Sequence, residues 1–187
     1  YATTRSTPAD TTDFVTVFLH EVTHGLGFTD TLNWDGSYLI EDTPSKWEEY
    51  LYYNGNTLNT MTDSGRYTAI RSTELYWDGQ NAKEANGGSR IEMYAPSTYA
   101  PGSSVSHWDQ SVTFPTFMKF QVADGTNCRE INDREAKLLK DVGWTLAAVP
   151  PAPTGVSAGD GVSTASVAVS WTASSGATGY GVYRHTS

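Results

Sequence analysis

The amino-acid sequence predicts an α+β domain over residues 1–149 and the start of an all-β module over residues 150–187. Three features carry that reading. Helix-spaced apolar residues behind capping residues occur twice, at 13–27 and at 132–143, on either side of a long aromatic, turn-rich stretch. A proline-rich joint at 150–153 then gives way to apolar residues alternating with polar ones, the period of a β-strand. Charge changes at the same joint. Of 12 Lys plus Arg and 21 Asp plus Glu, only Asp160 and Arg184 follow Pro150, so the net charge of −9 falls entirely in the first segment.

Taken in order, Asp10-Thr11-Thr12-Asp13 offers N-caps for a first helix. Phe14, Val17, Phe18 and Val22 recur at helical spacing until Gly25 and Gly27 stop it, giving about 13 to 15 residues. Residues 31–106 are rich in aromatics, Gly, Asn, Ser and Thr. Trp34-Asp35-Gly36 and Trp77-Asp78-Gly79 interrupt any sustained period there. Short strands, loops and one amphipathic helix near Ser45–Tyr53 are expected. Asn132-Asp133-Arg134-Glu135 reads as a helix start, with Ala136, Leu138, Leu139 and Val142 on one face and Gly143 as the stop. After Pro150-Pro151-Ala152-Pro153, the runs through Val167, Val169 and Trp171 and through Tyr180, Val182 and Tyr183 read as strands.

Composition narrows the function. A pI near 4.7 argues against nucleic acid or an anionic membrane as partner. No apolar run approaches the ~20 residues of a membrane-spanning helix. Cys128 is the sole cysteine, so no disulfide closes within this chain, and a latency ligand or a pairing with sequence outside it is the expected role.

The chemistry-bearing stretch is His20-Glu21-Val22-Thr23-His24. Two imidazoles four residues apart share a helix face, one turn from each other, with a carboxylate beside the first. Neutral imidazole suits Zn²⁺, and two such ligands leave room for a third protein ligand and a water whose pKa the metal lowers. Glu21 is then the general base. With 4 His in 187 residues, the spacing arises by accident at roughly 0.4% over the chain.

Extended to His20-Glu21-x-x-His24-x-x-Gly27-Phe28, the stretch resembles the metzincin zinc peptidases. The resemblance implies one catalytic zinc, a protein or peptide substrate, secretion with a leader outside this sequence, and a third ligand beyond the glycine. Two residues compete for that place. Asp30 lies three residues after Gly27, as in a subgroup similar to snapalysin. His107, in Ser106-His107-Trp108, matches the leishmanolysin-like layout, which then places a Met-turn; Met118 fits that turn and favours His107. Lys119-Phe120 follow Met118 where the resembling enzymes usually carry a small residue or proline.

The resemblance covers about residues 12–144, without the family's upper sheet. Asp109 is a candidate to orient His107. Asp35, Asp78 and Asp124 are possible Ca²⁺ ligands, although no run of dense alternating acids supports a calcium site. The tail is similar to the opening of a fibronectin type III domain and is read as truncated; it implies attachment to a polymer or cell surface. The competing reading is a binding or adhesion protein that keeps the fold with little or no activity.

Overall fold

Asp13 decides where the first helix begins. Its backbone is extended, its side chain accepts the Thr16 amide at 2.9 Å, and helix α1 follows over Phe14–Gly25. The same carboxylate is wholly buried and ion-paired with Arg129, so the cap also fastens α1 to a segment 116 residues away. Hydrogen bonding to Arg129 holds the Asp13 carboxyl well below the usual carboxylate range. At its other end α1 turns through Gly27, whose φ of +103° is a left-handed conformation that a Cβ would strain.

The computed structural model describes residues 6–40, 43–147, 150–159 and 166–182. Two units are distinguished, residues 1–145 and 146–187. Among the described residues the chain is mixed α and β, with four helices, two small antiparallel sheets and no barrel. In the first unit, β1 (Leu51–Tyr53), β2 (Asn56–Thr57), β3 (Tyr76–Trp77) and β4 (Ile91–Glu92) form a sheet in the order β2-β1-β3-β4. Helices α2 (Asp63–Ala69) and α3 (Gln80–Ala85) lie in the connections, and α4 spans Asp133–Asp141. As its sequence predicts, α4 opens on a capping box between Asn132 and Glu135.

The helix expected near Ser45–Tyr53 is not there. Lys46–Tyr50 form turns and the chain then extends into β1. Asn54 and Gly55, with φ of +43° and +90°, make the tight turn that joins β1 to β2, and such a turn demands strands on both sides. Glu48, which a surface helix would leave in water, is fully buried and accepts from the amides of Thr31 and Ser45.

An aromatic column joins the parts. Phe28 packs on Trp47 at 4.8 Å between ring centres, Trp47 on Trp77 at 4.5 Å, and Phe28 on Trp108 at 5.0 Å. Phe28, Trp77 and Trp108 are fully buried. The residue just beyond α1, the sheet and the residue after His107 therefore share one core, with each ring burying some 150–250 Å².

In the second unit, β5 (Thr154–Ala158) pairs with β6 (Val169–Thr172). Tyr180 and Val182, read from the sequence as strand residues, lie outside any strand, because no neighbouring edge among the described residues takes up their backbone groups; Tyr183 falls outside those residues. Trp171 is half-buried, with its ring 5.2 Å from that of Tyr180. Among the described residues no helix is long and apolar enough to cross a membrane.

Asp13→Ala removes a cap and breaks the buried carboxylate's ion pair with Arg129, and should lower stability by about 3 kcal/mol, read from the urea midpoint. A carboxyl whose pKa is depressed by folding contributes stability above its ordinary value of 3.8. The gap between wild type and variant should therefore close as pH falls below that value.

Candidate metal centre

His20 and His24 share one face of α1, and His107 comes from the long connection between β4 and α4. The segment carrying His107 is pinned to the chain after β4: Val105 donates to the Tyr94 carbonyl at 2.7 Å, and Tyr94 donates to the His107 carbonyl at 2.9 Å. Val105 has φ of +72°, an outlier for a β-branched residue that costs on the order of 1–3 kcal/mol. Its burial and hydrogen bonds hold it there, immediately before Ser106 and His107.

The three imidazoles converge through the same atom. Nε2 of His24 lies 3.0 Å from Nε2 of His20 and 3.2 Å from Nε2 of His107, and the third side of the triangle is 3.2 Å. Each Nδ1 meets a backbone carbonyl: Phe117 for His20 at 2.6 Å, Phe28 for His24 at 2.6 Å, and Ser103 for His107 at 2.8 Å. A carbonyl only accepts, so each Nδ1 carries the proton and each Nε2 offers a lone pair. Three lone pairs aimed at one point repel each other and are reconciled by a cation among them. These three residues lie close enough to hold a metal ion. Tetrahedral metal–nitrogen bonds of about 2.05 Å require nitrogen separations of about 3.3 Å, a few tenths of an ångström from the triangle observed.

Burial pushes the His107 imidazolium down to about 4 and lowers His24 as well, which keeps both rings neutral at physiological pH. Glu21 sits on the exposed side of α1 beside this triangle, and no hydrogen bond to another described residue engages its carboxylate. Its charge nevertheless reaches His24 and favours that ring's protonated form.

Asp30, the competing third ligand, is directed elsewhere. One oxygen accepts the Leu32 amide at 2.9 Å and the other accepts the Ser106 hydroxyl, so the carboxylate braces the residue next to His107. Burial raises it to about 6. Asp109 does not orient His107. It accepts the Ser111 amide at 2.8 Å, and the Ser103 carbonyl holds the ring instead.

Met118 is fully buried, and its carbonyl accepts the Trp108 amide at 2.9 Å, so its segment runs directly against the residue after His107. The acids considered for calcium are engaged in turns and ion pairs: Asp35 with Ser37, Asp78 with Lys83 and Arg90, Asp124 with Thr12. Cys128 is half-buried beside Thr16, with its thiol pushed up by burial and so kept protonated.

Searches of protein-family models, curated proteins and solved structures find no match for the chain.

Proton linkage at the triad has a definite sign. A histidine whose pKa falls on folding binds fewer protons in the native state between about 4 and its ordinary 6.5, so acidification through that window destabilises the metal-free protein. Asp30 and Glu135, raised by burial to about 6 and 7, act in the opposite sense. The comparison of wild type with His107→Gln isolates the histidine. Wild type should lose on the order of 3 kcal/mol relative to the variant between pH 7 and pH 4, measured by denaturant unfolding in the presence of a chelator.

Proposed function

We propose that the chain is a secreted, zinc-dependent endopeptidase of the metzincin type, with His20, His24 and His107 as ligands and Glu21 as general base. The observation that carries the reading is the triangle of three Nδ1-anchored imidazoles beside the exposed carboxylate of Glu21. Zinc fits the donor set, since three neutral nitrogens leave a fourth position for water or substrate. An ion bound there supplies Lewis acidity and brings the pKa of water to about 7.

The chain's own residues do the rest. The carbonyls of Phe117, Phe28 and Ser103 hold the imidazoles in the ligating tautomer and raise their basicity. Glu21, whose carboxylate is exposed and engaged by no hydrogen bond to another described residue, takes a proton from the attacking water and returns it to the leaving amine. Asp30 and Ser106 brace the loop that carries His107. The tail supports the comparison with a fibronectin type III module through its paired strands and the contact of Trp171 with Tyr180.

Purified protein should contain one zinc per chain. His107→Ala should lose it, whereas Asp30→Ala should retain it, by elemental analysis. Glu21→Gln should keep the metal and cleave casein 10²–10⁴-fold more slowly than wild type. Stoichiometric zinc with no Glu21-dependent cleavage would move the reading to a binding protein that retains the fold.

A further inference from the structure

A capping-box glutamate uses one oxygen on the N-cap amide and ordinarily leaves the other in water. Glu135 departs from that pattern. It is fully buried at the start of α4; Oε2 accepts the Asn132 amide at 3.2 Å, while Oε1 faces inward and accepts the Thr116 hydroxyl. Thr116 in turn accepts the Met118 amide on Oγ1 at 2.9 Å. Three residues earlier, at the N-cap of α4, Asn132 Nδ2 donates to the Pro115 carbonyl at 2.9 Å, so the N-terminus of α4 grips the 115–118 segment at two points.

That segment touches two of the three ligand-bearing elements. The Phe117 carbonyl, between Thr116 and Met118, receives the His20 Nδ1 proton at 2.6 Å. The Met118 carbonyl receives the amide of Trp108, the residue after His107, at 2.9 Å. Trp108 and Lys119 also form a parallel β-bridge. The path therefore runs from Glu135 through Thr116 to the peptide shared by Phe117 and Met118, whose carbonyl fixes His20, and the next carbonyl along, that of Met118, holds the residue after His107.

We propose that Glu135 and Thr116 are positioning residues for the metal centre: they set the direction of the Phe117 carbonyl, and through it the orientation and basicity of His20. The proposal rests on the reading of the triad as a metal site. A buried carboxylate needed only to cap α4 has no use for an inward oxygen on Thr116, and a hydroxyl that both donates to Glu135 and accepts from Met118 fixes the peptide plane that Phe117 and Met118 share. Partners of metal-bound histidines typically affect metal affinity 10–100-fold, and Glu135 and Thr116 act on such a partner at one remove.

The test is zinc affinity by competition with a chelating dye, paired with the visible absorption of the Co²⁺-substituted protein. Thr116→Val and Glu135→Met should each weaken zinc binding about tenfold and shift the Co²⁺ bands, and the double variant should be little weaker than either alone. Thr116→Ser and Glu135→Gln, which keep the hydroxyl and an acceptor, should stay within about threefold of wild type. Near-UV circular dichroism establishes that each variant is folded; should Glu135→Met fail that check, Thr116→Val, a same-shape change at a half-buried side chain, decides alone. Unchanged zinc affinity and an unchanged Co²⁺ spectrum in folded Thr116→Val would overturn the proposal while leaving the metal site intact. Absence of metal binding by wild type would instead overturn the metal reading, and the positioning role with it.

Discussion

The arrangement turns on three N–H groups that all point away from the place where the histidines meet. Each Nδ1 proton is given to a main-chain carbonyl, and that choice of tautomer aims three Nε2 lone pairs at a common centre about 3 Å from one another. Surface histidines gain nothing from such convergence, because the lone pairs repel and water satisfies them separately. The fold nevertheless builds it from three distant pieces of backbone, the turn after α1, the turn before His107 and the segment before Met118. Much of the first unit, including the Phe28–Trp108 contact and the strained Val105, serves to bring those three pieces together.

Two of the three histidines were legible in the sequence for a local reason: helix periodicity alone puts residues 20 and 24 on one face. Pairing them with residue 107 needed a different argument. Nothing about the residues around His107 is helical or periodic, and its candidacy came from a resemblance and the spacing to Met118. In the structure it stands 83 residues from His24, at 3.2 Å. Asp30 competed on the same resemblance and its spacing from Gly27, and its side chain was claimed instead by Ser106 and Leu32. The groups that orient the rings could not have been found from residue types, since they are peptide carbonyls; Asp109 was a candidate only as an acid close to His107 in sequence.

The same limit explains the fold. Both long helices were announced by their caps, and the capping box at Asn132 and Glu135 was visible as a pattern. The inward use of Glu135 was not, because it depends on Thr116, which joins the cap only through tertiary packing. The Ser45–Tyr53 stretch was read with the wrong period: Trp47 and Leu51 share a helical face, but the Asn54-Gly55 turn claims the residues before it for a hairpin. Helices α2 and α3 are too short to show a face of their own.

The distance along the chain between the ligands has a consequence for how the molecule is held closed. With one cysteine, the polypeptide has no internal covalent crosslink. An ion shared by α1 and the loop of His107 would tie residues 83 apart, and would stabilise the domain by binding the folded chain in preference to the unfolded one. Unlike a disulfide, such a tie would form only once both segments have docked, and a stronger chelator would release it. Uptake of the ion would then come late in folding, and its loss would leave in place the Asp13–Arg129 pair, which spans 116 residues.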